Sequence, residues 1–276
     1  MNEKQPISDA TKQSMADITQ LTIDQAWNQI RVLRKTVEQI KMVQAFYEQN
    51  QMSPSQANHY LGRVTEYAIL IHLLSADLSV AYRIYLNAKT GYEVQYAGRQ
   101  LILIINEGFK QIYHYVWPDK KEGNMVTSKR NDSFWVKDIG GLVRLMLPGL
   151  ADRYQELTEK LNSYDDPELA AMTPTRNLFV HYDRITSDVV DAIEALDIEV
   201  LSQKVMPFML ILQQMTSFCM ELVQAVAVTS EQINVDLHKR ESEKLAALRE
   251  QHKDRADLVQ MIDTQKAFID EFLGMK

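Results

Sequence analysis

Ala26, Ile30, Leu33, Val37 and Ile40 recur in alternating steps of four and three residues. At about 100° per residue, those steps hold all five apolar side chains on one side of a helix. A seam of this kind is stable only when a second helix covers it. Little in the rest of the chain interrupts such patterns. The 276 residues include nine glycines and seven prolines, too few turn-formers for many short strands but enough for a few long helices. No segment alternates apolar and polar residues with a period of two. The fold class expected is all-α, a multi-helix bundle with a long C-terminal helical extension.

Three regions follow from the composition along the chain. Residues 1–21 are polar and read as an N-terminal arm. Residues 22–229 carry the bundle, opened by a capping-box pattern at Thr22 and Gln25. A second helix starts at Ser53, Pro54 and Gln56 and runs to Lys89, with Gly91 as its stop. A third extends from Glu93 to Trp117, ended by Pro118. Lys120, Lys121, Lys129 and Arg130 lie in the polar stretch from Pro118 to Ser133, which reads as a solvated loop. Gly140, Gly141 and Pro148 break the pattern that resumes near Trp135. After an acidic turn at Asp165, Asp166 and Glu168, Thr173-Pro174 restarts a helix over about 174–196. An apolar helix follows from Val200 to Val228, with Pro207 in its first turns or kinking it. Residues 230–276 form a charged helical extension in which Leu237, Leu245 and Leu248 are sparse apolar points, so a neighbour or another chain is expected to support it.

Several chemistries are disfavoured at this level. The formal net charge is −7, which argues against a broad, nonspecific nucleic-acid surface while leaving room for a small basic cleft. Cys219 is the only cysteine, so neither an internal disulfide nor a cysteine zinc cluster is available, and a reducing cytoplasm suits the chain. The two greasiest stretches carry His72, Asp77 and Arg83 in one and Gln213, Gln214 and Glu221 in the other. Both read as buried bundle helices, not membrane spans. Met206, Met209, Met215 and Met220 fall on apolar helix positions and read as core, and Trp27, Trp117 and Trp135 as packing anchors. No histidine pair has metal-peptidase spacing and no glycine-rich loop cradles phosphate, so no metal and no cofactor are expected.

One stretch carries chemistry: "TPTRNLFVHYDR", Thr173 to Arg184. Asn177 and His181 are four apart and share a helix face, whereas Arg176 is rotated about 140° from His181. Metal-independent RNA cleavage needs a base for the ribose 2′-hydroxyl, an acid for the 5′-oxygen and a cation for the phosphorane. Histidine can perform either proton transfer, and an arginine fork matches the phosphate oxygens. A single such histidine per chain would require two copies facing one cleft.

"RNLFVHYD" resembles the signature of the HEPN superfamily: arginine, a polar residue, then histidine after four to six residues. Arg176, Asn177 and His181 fill those positions, and the likeness covers roughly Ser53 to Ser230. It implies a helical bundle acting as a metal-independent endoribonuclease, often a toxin or abortive-infection (phage-defence) protein. Arg176 and His181 would carry cleavage and Asn177 would support them. It also implies RNA as substrate, a homodimer and a regulatory or antitoxin partner. The alternative expectation is a non-catalytic helical scaffold or partner-binding module in which His181 is an ordinary helix residue.

Overall fold

The seam of the first helix is longer than its five predicted members. In the computed structural model it begins at Thr19 and Ile23, and all seven side chains are buried. The structure describes residues 9–49, 56–113, 133–164, 172, 175–177 and 186–272, and these hold helices with no strand among them. The all-α bundle expected from the sequence is therefore the observed architecture.

Helix α1 spans Asp9–Gln49. Residues 9–21, expected as part of a polar arm, are its leading turns. Their mostly polar composition hid the helix because a two-helix seam needs one apolar side chain per three or four residues. The Thr22 hydroxyl donates to the Ile18 carbonyl at 3.0 Å within the helix and caps nothing. Helix α2, Gln56–Asn87, packs along α1; Ser53 and Pro54 lie outside the described residues. At Gly62 the two helices come close, since a Cβ there would sit 3.4 Å from the Ile40 side chain.

The α2–α3 boundary corrects the sequence expectation. Gly91 does not stop α2; it is the first residue of α3, Gly91–Tyr113. Glu93 accepts from the backbone N–H of Lys89 at 2.6 Å and of Thr90 at 3.0 Å, and its own N–H donates to the Thr90 hydroxyl at 3.3 Å. This is a reciprocal cap with Thr90 at its start. The backbone donors hold the Glu93 carboxyl below the usual glutamate range.

Beyond α3, a π-helical turn over Phe134–Ile139 leads directly into α4, Gly140–Met146. Leu147 and Pro148 break the chain before α5, Ala151–Tyr164. Gly140 and Gly141 therefore begin a helix instead of ending one. Short α6, Thr186–Glu194, precedes α7, Ile198–Gln251, which runs without interruption past Pro207 and through the boundary expected near 229. Helix α8, Ala256–Phe272, folds back along the end of α7.

The core forms where α2 meets α1, α3 and α7, with α5 against α7. Trp135 is fully buried, stacks on Tyr154 with ring centroids 5.2 Å apart, and donates from its indole nitrogen to the Thr158 hydroxyl at 2.9 Å. Buried Tyr164 stacks on Phe208 of α7 at 5.3 Å, and its hydroxyl donates to the Lys204 carbonyl at 3.2 Å. Each ring thus places its apolar body in the core and gives its polar atom a partner. Trp27 departs from the expected anchor role, being 46% exposed, and Trp117 lies outside the described residues. The two apolar stretches are long and apolar enough to cross a membrane by length and composition, and in this fold they supply most of α2 and the first half of α7.

Candidate functional site

The turn carrying Arg176 and Asn177 is set against α3. Residues 175–177 are helical, and the Arg176 side chain is 16% exposed. One terminal nitrogen of its guanidinium forms an ion pair with Glu107 of α3. The other donates to the side-chain oxygen of Asn177 at 2.8 Å. Glu107 also receives Lys110, three residues further along α3, at 3.4 Å, so one carboxylate faces two cations. The Arg176 Nε is buried with no hydrogen-bond partner among the described residues. Asn177 is exposed.

His181 lies outside the described residues, as do Tyr182, Asp183, the basic stretch at Lys120, Lys121, Lys129 and Arg130, and the acidic turn at Asp165, Asp166 and Glu168. The structure thus brings Arg176 and Asn177 together and adds Glu107, a residue the sequence reading did not single out. Its only local mark is Lys110 at i+3, a spacing shared by many exposed helix pairs. No family model, no curated protein and no solved structure matches this chain.

The chemical consequence lies in the guanidinium. An arginine that receives phosphate needs two coplanar N–H groups facing the ligand. Here the Nη atoms are engaged by a carboxylate and an amide oxygen, and Glu107 offsets the Arg176 charge while also facing Lys110. A phosphate arriving at this point would have to displace a carboxylate that is already in place. Cys219 offers no nucleophile in its stead. It is fully buried on α7, and burial pushes its thiol pKa up, away from the reactive thiolate.

Two of the described histidines, His238 and His72, have separate roles. His238 of α7 meets Asp270 of α8 at 2.6 Å, which ties the helical hairpin together. His72 of α2 is 5% exposed, and burial lowers its pKa to about 4, so it is neutral near pH 7.

Proposed function

We propose that this chain works by binding, as a non-catalytic helical module that pairs with a second copy through its α7–α8 arm. The pairing of Arg176 with Glu107 carries this reading. The cation best placed by the sequence to hold an anionic substrate instead fastens the turn at residues 175–177 to α3. The arm supports the same reading. At 1.5 Å per residue, the part of α7 beyond Val226 extends for about 37 Å. There it has α8 as its neighbour, with Arg249 paired to Asp263 at 2.8 Å beside the turn. Exposed pairs of this kind contribute little to stability. Leu248 is 42% exposed and Met261 69% exposed, one on each helix of the hairpin. Two such hairpins face to face would complete a four-helix bundle and cover both side chains.

The second reading is the HEPN-type endoribonuclease, with Arg176 and His181 from two subunits acting on RNA. It is favoured by the hydrogen bond that joins Arg176 to Asn177, since a fixed guanidinium–amide pair is a suitable phosphate clamp once Glu107 is displaced. In that reading Glu107 restrains the site until a substrate or partner releases Arg176.

One assay distinguishes the two. Purified full-length protein is incubated with structured and unstructured RNA in EDTA, beside His181→Ala and Glu107→Gln. The binding reading expects no cleavage by any of the three. Cleavage that leaves 2′,3′-cyclic phosphate ends, is lost in His181→Ala and increases in Glu107→Gln would replace it with the ribonuclease.

A further inference from the structure

A cavity of about 530 Å³ lies over α2 between α1 and α7. Its volume falls within the roughly 300–1,000 Å³ of small-molecule sites. Its floor is α2, where His72, Ser75 and Ser79 are all buried. Its α7 wall includes Met206, Met209 and Met220. Among the described residues that line it there is no aspartate, glutamate, lysine or arginine. The His72 Nε2 is buried without a hydrogen-bond partner among the described residues.

An unpaired buried imidazole nitrogen is costly to keep, and such a group generally has a partner in a folded protein. His72 lines a cavity large enough to admit one, with Nε2 itself covered by neighbouring side chains. We propose that this cavity is a binding site for an uncharged, mainly apolar small molecule carrying a hydroxyl, with the hydroxyl bonded to His72. A hydroxyl both donates and accepts, so it satisfies either imidazole tautomer. Ser75, one helical turn along α2, offers a further short hydroxyl near that end of the ligand.

The apolar body lies along the methionine wall. Methionine is unbranched and polarizable, and adapts its shape to an irregular guest. This mobility is also the route by which a ligand reaches an Nε2 that the lining side chains cover. The absence of a charged lining residue sets the specificity. A carboxylate placed here would lose its hydration with no cation to replace it. The site is on the α1–α2–α7 side and shares no residue with the Arg176–Glu107 pair, so it stands whichever functional reading holds.

The test uses the full chain and two matched probes, 2-naphthol and 2-naphthoate, titrated by calorimetry at pH 7.5. The naphthol is expected to bind with one-to-one stoichiometry, and the naphthoate at least tenfold more weakly. His72→Phe keeps a flat ring but removes the polar nitrogen, and should weaken the naphthol at least tenfold. Gln213→Trp alters an exposed lining residue and should block the cavity without touching the core. Equal affinity for both probes, unchanged affinity in both variants, or no saturable binding would overturn the proposal. So would a loss of dimer mass in Gln213→Trp by light scattering, which would make the groove an interface between copies. Circular dichroism of each variant identifies misfolding; if His72→Phe fails to fold, Gln213→Trp and the charge comparison still decide.

Discussion

At the scale of single residues, His72 makes the most direct claim on a measurement. Its imidazole titrates near 6.5 when unfolded and at about 4 when folded. Protons therefore bind the unfolded chain more readily between those values, and stability must fall as pH drops. The contribution is fully present above about pH 6.5 and declines through the window down to about 4, by about 2 kcal/mol at pH 5. Urea denaturation at pH 7.5 and pH 5 should show this slope in the wild type and a flatter one in His72→Gln. Arg176 and Glu107 make a second claim. Arg176→Ala should lower stability by about 1 kcal/mol, discounted because Glu107 is 44% exposed. A double-mutant cycle with Glu107→Gln should show coupling, whereas full additivity would mean that the pair fastens nothing. The sequence could not reveal this pair. Arg176 and Glu107 belong to separate elements, and only the packing of the 175–177 turn on α3 brings them together.

At the scale of elements, two adjacent glycines make opposite predictions. A Cβ on Gly140 would come within 2.5 Å of the Tyr154 hydroxyl, on the ring that stacks against Trp135 and donates to its carbonyl at 3.2 Å. Gly140→Ala must push that ring off Trp135 and should cost about 1–3 kcal/mol. Gly141 has nothing within 4 Å of the same position, so Gly141→Ala should stabilise α4 by about 0.5–1 kcal/mol. Thermal melts of the two variants check the contrast, and equal shifts would contradict it. Element boundaries were the least legible feature of the sequence. Gly140 and Gly141 resemble breakers, yet the first is there because Tyr154 leaves no space for a side chain. The Thr90–Glu93 cap follows a T-x-x-E pattern, but the glycine inside it is the residue type that most often lies just past a helix end.

The whole molecule is a bundle around α2 with a hairpin arm, and its assembly is the matter to measure. Paired arms predict that full-length protein has the mass of a dimer by light scattering. Substituting the exposed pair, Leu248→Glu with Met261→Glu, should convert it to monomer without changing helical content. A monomeric wild type would remove the arm from the proposed function. The sequence alone determined the helical class, the principal seam and the apolar stretches of α2 and α7, because helix periodicity and local hydrophobicity are properties of neighbouring residues. It also singled out Arg176, Asn177 and His181 as a motif. Only the tertiary structure decided that Arg176 is held by Glu107, and that Met206, Met209 and Met220 border a cavity while Met215 is buried in the core. Periodicity says which side of a helix is apolar. Whether that side meets a neighbour closely or leaves a space depends on how three helices converge, which no one segment encodes.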